Sequence, residues 1–156
     1  MQARMTNPVF VVPEALKALN AVGTSIAKGG VPNTTLELVR LRASQINGCS
    51  MCVEMHARDL RKAGEKDERL FAVAAWREAP YFSDAERAAL ALTEAATRIA
   101  DRGDAVPDEV WNEAAKHYDE KALADLVLHI GQINFWNRVN VMVRQIVGQA
   151  PKAAAA

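Results

Sequence analysis

The sequence predicts an all-α protein, a single-domain helical bundle. Three observations predict it. Half of the 156 residues are hydrophobic while aromatics, glycines and prolines are few, a balance that suits helices better than sheets. Apolar residues recur at three- and four-residue spacing along most of the chain, with no convincing alternating run. The breaks between these periodic stretches are short, so successive helices should pack antiparallel around one core.

Each element has its own start and stop signal. Pro13 suits an early helical position, and the first helix runs to Ala27 before Gly29-Gly30 ends it. Asn33 or Thr34 caps a second helix that passes through Glu37 to about Ile46 and stops at Asn47-Gly48. A third begins near Cys49 and ends at Ala63-Gly64, and a shorter fourth spans Lys66 to about Arg77, ahead of Pro80. Ser83-Asp84-Ala85-Glu86 is a capping box opening a fifth helix to about Asp101. After the loop Arg102-Gly103-Asp104, Pro107 opens a sixth to about Tyr118. The last helix spans Glu120 to about Val147, with Gly131 as the place for a bend. Residues 1–150 are expected to form one domain, and 151–156, the tail PKAAAA, to fray. Trp76, Trp111 and Trp136 are expected to anchor the core or an interface, and Met51 and Met55 to pack.

Charge and hydropathy narrow the partners. Nineteen Lys and Arg balance nineteen Asp and Glu, which gives no electrostatic reason to expect nucleic acid or an anionic membrane. No apolar run is long enough to span a bilayer, and the N-terminus lacks a signal-peptide pattern, so a cytoplasmic location is expected.

The only two cysteines sit in Cys49-Ser50-Met51-Cys52. In a reducing compartment so tight a loop is a poor structural staple. At about 100° per residue, Cys49, Cys52, Val53, His56, Leu60 and Ala63 form one helical stripe, with Glu54, Arg58, Arg61 and Lys62 elsewhere. The stripe is therefore expected to be buried. Both cysteines lie where a helix N-terminus lowers thiol pKa. Cys52 and His56 are four residues apart and meet on the helix surface, so the imidazole could take the thiol proton. An attacking thiolate would become a sulfenic acid, and the second thiol would condense with it to a disulfide. Glu37, among apolar neighbours on the preceding helix, is costly there unless paired, hydrogen-bonded or neutral, and could orient His56. The same four residues also have the ligand types of a zinc site, although structural zinc sites usually gather ligands from loops or ribbons. A c-type haem is excluded because Val53 follows the second cysteine. His117 and His129 have no evident partner in the sequence.

Glu37, eleven residues, Cys49-x-x-Cys52, three residues, His56 together resemble the signature of the AhpD-like alkylhydroperoxidases, within the carboxymuconolactone decarboxylase superfamily. The likeness runs from about Thr34 to Gly64, and Asn134-Phe135-Trp136-Asn137-Arg138 resembles that family's last-helix segment. The resemblance implies an AhpD-like helical fold and a cofactor-free, metal-free peroxidase. It makes Cys52 the peroxidatic cysteine, Cys49 the resolving partner and proton donor, and His56 and Glu37 the proton relay. It implies a hydroperoxide substrate, a dithiol protein or small thiol as reductant, and a trimeric or hexameric homo-oligomer. The well-studied members carry a histidine just before the second cysteine; here that position is Met51. Members that decarboxylate the lactone lack the cysteine pair, so its presence points to the peroxidase branch.

Overall fold

The computed structural model describes residues 2–27 and 30–148, so the expected fraying of 151–156 lies outside the described residues. Among the described residues eight α-helices follow one another: α1 (Pro8–Val11), α2 (Pro13–Ile26), α3 (Asn33–Asn47), α4 (Ser50–Lys62), α5 (Asp67–Ala72), α6 (Asp84–Thr97), α7 (Asp108–His117) and α8 (Glu120–Met142). Among the described residues there is no strand, so the fold is all-α as the composition requires.

Several ends follow their sequence signals. Gly48 closes α3 in the left-handed region at φ 68°, a conformation glycine adopts without a Cβ penalty, and its N–H returns to the Ser44 and Gln45 carbonyls. The Ser83 side chain and Glu86 form the full capping box at the start of α6. Asp119 caps α8 by accepting from the Ala122 N–H at 2.8 Å.

Other ends differ from expectation. The four-residue α1 carries too few turns to show a period, and only Asn7-Pro8 marks it, with the Asn7 side chain as its cap. The fourth and fifth predicted helices each finish earlier, tightening into the 3-10 turns Val73–Ala75 and Ile99–Asp101. α8 runs unbroken through Gly131 but stops at Met142 rather than Val147, because Arg144 takes a positive φ of 54° and the Gln145 N–H folds back to the Asn140 carbonyl. Trp76 is buried, Trp136 half-buried and Trp111 exposed, so only the first is a full core anchor.

α3 is the axis of the bundle and packs against α4, α6 and α8. Its apolar residues surround it, so it feeds two cores rather than one. Leu36 and Val39 join α6, α7 and α8 through Ala89, Leu92, Ala114, Leu126 and Ile130. Leu38 and Leu41 join α4, α5 and α6 through Leu60, Leu70, Trp76, Phe82 and Leu90. A polar seam sets α8 against α3: Asn47 Nδ2 donates to Asn134 Oδ1 and Asn137 Oδ1 at 2.9 and 3.0 Å, and Asn137 Nδ2 donates to Ser44 Oγ at 3.0 Å.

Glu94 ties the second core together. Its carboxylate accepts from Arg42 Nε at 2.6 Å, from Trp76 Nε1 at 3.0 Å and from Arg77. Burial pushes this carboxyl up, but the three donors and the Arg42 charge outweigh it and hold it below the usual carboxylate value. Removing one partner of such a pair leaves desolvated charge behind. Glu94→Ala should therefore lower unfolding free energy by about 3 kcal/mol, read as a shifted urea midpoint at constant slope.

Candidate active site

The four residues singled out in the sequence come together between α3 and α4. Cys49 is the N-cap of α4, its Sγ accepting from the Cys52 backbone N–H at 3.4 Å. Cys49 and Cys52 are joined as a disulfide with their Cα atoms 5.3 Å apart. Cys49, Cys52, His56 and Leu60 are buried as the helical stripe predicts, whereas Val53 is only half-buried and Ala63 is exposed where α4 runs out.

Glu37 reaches His56. Its Oε2 accepts from His56 Nδ1 at 2.7 Å, and Oε1 accepts from Arg40 Nη1 on the next turn of α3. Burial pushes the Glu37 carboxyl up, but the hydrogen bonds and electrostatic attraction of His56 and Arg40 bring it below its usual value. Glu37 is therefore an anion and can only accept, which places the shared proton on Nδ1 of the imidazole. His56 Nε2 is buried and has no hydrogen-bond partner. The histidine is thus held in one orientation, with Nε2 unpartnered at the other end of the ring.

His56 and Cys52 share the wall of a cavity of about 350 Å³. Its lining is mostly apolar, with Val9, Phe10 and Leu16 from α1 and α2 and Met51, Met55, Ile133 and Trp136 from α4 and α8. Met51 and Met55, expected as packing residues, are half-buried and form part of this wall. Cys52 faces the cavity; Cys49 is not among its lining residues. The arrangement can hold a small organic molecule against a sulfur that has a base one helical turn away.

Three contributors escaped the sequence reading. Arg40 bridges two elements: its Nη2 donates to Nδ1 of His129, on α8, at 2.7 Å. Since a guanidinium only donates, His129 Nδ1 is unprotonated, and Nε2 carries the hydrogen toward the Ile26 carbonyl at 3.3 Å, with Asp125 Oδ1 3.5 Å away. Burial, aided by Arg40, lowers the His129 pKa and keeps it neutral. His129 therefore has a partner, while His117 contacts Glu113 at the surface at 3.4 Å. Arg40, three residues after Glu37, had a signal in that spacing; His129 lies 89 residues from Arg40 and had none. The third is Asn140, whose Nδ2 stands 3.4 Å from Cys52 Sγ.

No three His, Cys, Asp or Glu side chains are placed to hold a metal ion among the described residues. The geometry gives the reason: the two sulfurs are bonded to each other and Glu37 holds His56 Nδ1.

Residues 13–95, more than half the chain, match the family model described as the carboxymuconolactone decarboxylase family. The chain belongs to that family. A Bacillus subtilis relative, the uncharacterized protein YdfG, is 40% identical over 131 residues, covering 84% of this chain and 88% of its own. An Agrobacterium tumefaciens crystal structure superposes with a TM-score of 0.87 at 33% identity, covering 96% of this chain and 100% of the other; that protein is of unknown function and is described as a candidate AhpD antioxidant-defence protein. The alkyl hydroperoxide reductase AhpD of Methylocella silvestris is 38% identical over 63 residues, 40% of this chain and 33% of its own. The chain is thus an AhpD-like member of the family, in fold and in sequence. No helix among the described residues is long and apolar enough to cross a membrane.

Proposed function

We propose that this protein is a thiol-dependent peroxidase that reduces hydroperoxides through a Cys49–Cys52 dithiol/disulfide cycle. One observation carries the reading above the others: His56 and Cys52 line the same cavity, and Glu37 holds one ring nitrogen of His56 while the other, Nε2, is buried without a partner. That is the geometry of a base oriented by a carboxylate beside a nucleophile.

In the reduced enzyme His56 Nε2 takes the Cys52 proton. The thiolate attacks one peroxide oxygen: the S–O bond forms as the O–O bond breaks, sulfur gives up two electrons, and the leaving alkoxide takes the proton back from His56. Cys49, as thiolate, then attacks the Cys52 sulfenic acid. The S–S bond forms and hydroxide leaves as water with the Cys49 proton. The oxidised pair seen in the structure is the end of this sequence, and an external dithiol protein or small thiol returns it to the start by exchange. No cofactor or metal takes part.

The apolar lining suits an organic hydroperoxide. Met51 makes the wall apolar at the position where the relatives that the sequence resembles carry a histidine, so all proton transfer falls to His56 and Cys49. We further infer a cytoplasmic homo-oligomer, trimeric or hexameric. Leu128, Phe135 and Met142 stand exposed at seven-residue intervals on α8, a stripe suited to burial against another copy.

Titration tests the reading. One equivalent of an organic hydroperoxide added to reduced protein should consume both thiols and yield one equivalent of alcohol. Thiols that survive a tenfold excess of peroxide would refute it.

A further inference from the structure

Asn140, on α8, sets its side-chain Nδ2 3.4 Å from the Cys52 sulfur. The direction of that amide is set by a chain of hydrogen bonds starting at the N-terminus. The Val9 backbone N–H can only donate, and it gives its hydrogen to Asn7 Oδ1 at 3.3 Å. The opposite end of the Asn7 amide is therefore its NH₂, which donates to Asn140 Oδ1 at 2.8 Å. With its oxygen so engaged, Asn140 turns its own NH₂ toward Cys52. All three side chains are at least nine-tenths buried. The segment carrying Asn7 is itself fixed on α8, because Arg4 bonds the Val143 carbonyl through its backbone N–H at 2.9 Å and the Met142 carbonyl through Nη1 at 3.0 Å.

A disulfide sulfur is a weak acceptor, so an amide aimed at it contributes little in the oxidised state. A thiolate in the same place is a buried anion, and hydrogen bonds to ionised acceptors are roughly twice as strong as neutral ones. The arrangement therefore has its greatest effect in the reduced enzyme. We propose that Asn140 is a further catalytic residue, the donor that stabilises the Cys52 thiolate, and that Asn7 is the positioning residue that aims it. The proposal rests on Cys52 being the attacking sulfur. The ionisable groups facing this sulfur across the cavity are His56 from α4 and Arg40 from α3, with Glu37 behind His56. The N-terminal segment, α2 and α8 present only uncharged side chains there, among them Asn7, Asn20, Gln132 and Asn140. Asn140 is thus the polar neighbour of the thiolate that carries no charge and whose donor role does not change with pH.

The test follows Cys52 ionisation by thiolate absorbance in a Cys49→Ser background, where serine can still cap α4. Asn140→Ala should raise the midpoint by about one pH unit, the scale of one lost hydrogen bond to a charged group. Asn140→Asp, of the same shape, should raise it at least as far, since a carboxylate would face the thiolate. Asn7→Ala should give a smaller rise, because Asn140 keeps its NH₂ but is free to turn. Midpoints unchanged in Asn140→Ala and Asn140→Asp, in variants that still melt cooperatively, would overturn the proposal; should the alanine variant not fold, the isosteric one decides alone. No peroxide enters this measurement. Shifted midpoints in a protein that reduces no hydroperoxide would sustain Asn140 and sink the peroxidase reading, whereas turnover with unmoved midpoints would sink Asn140 alone.

Discussion

Cys52→Ser should abolish hydroperoxide reduction, lowering kcat/KM by at least about 10³-fold, the scale on which loss of a nucleophile acts. Serine keeps the size of the side chain and leaves the α4 N-cap on Cys49 untouched, so the fold should survive. A hydroxyl has no accessible anion at neutral pH for His56 to generate against a peroxide, and its oxygen cannot accept a peroxide oxygen as sulfur does in forming a sulfenic acid. Cys49→Ser should behave differently. Its first turnover should proceed, because Cys52, His56 and the cavity are intact, and then stall as the sulfenic acid waits for an external thiol. Stopped-flow peroxide consumption separates the two: no burst for Cys52→Ser, and a burst of one equivalent for Cys49→Ser. The asymmetry follows from the placement of the sulfurs, with Cys52 on the cavity wall and Cys49 capping the helix behind it.

Glu37→Gln should cost about 10²-fold in kcat/KM, at the lower end of what a general base contributes. The amide oxygen could still accept from His56 Nδ1, but without charge it no longer stabilises the imidazolium that forms when the thiol gives up its proton. It also leaves the Arg40 guanidinium partly buried with only His129 to receive it. The same change should lower stability by about 3 kcal/mol at neutral pH, as expected when one member of a buried ion pair is removed. The pH dependence fixes the sign. The folded Glu37 carboxyl titrates below its reference value of 4.5, so near that pH the unfolded chain binds more protons and stability rises with pH. The carboxylate contribution is complete above about pH 4.5 and is lost as pH falls through the lower folded value. Urea unfolding from pH 7 to pH 3 should thus show the wild type converging on Glu37→Gln at the acid end.

What could be read from the sequence is what is local along the chain. Asn47-Gly48 and the Ser83–Glu86 box act within one turn, and the helices stop and start where they stand. The Cys49, Cys52 and His56 stripe is equally local, fixed by 3.6 residues per turn once α4 exists. Glu37 was an intermediate case. Its cost among apolar neighbours demanded a partner, but the identity of that partner depended on how α3 crosses α4. Asn7 with Asn140, 133 residues apart, and Arg40 with His129 were invisible because each joins helix faces that only tertiary packing brings together. The early end of α8 had no signal either, since an arginine with positive φ has no compositional mark.

Trapping the sulfenic acid tests directly whether Cys52 attacks the peroxide. Reduced Cys49→Ser protein is given a brief pulse of organic hydroperoxide in the presence of a 1,3-dione trap, then digested and mapped. Attack by Cys52 requires one adduct, on the peptide carrying Cys52, formed about 10²-fold more slowly when His56 is replaced by glutamine. No adduct at Cys52, or an adduct that forms as fast without the imidazole, would contradict it.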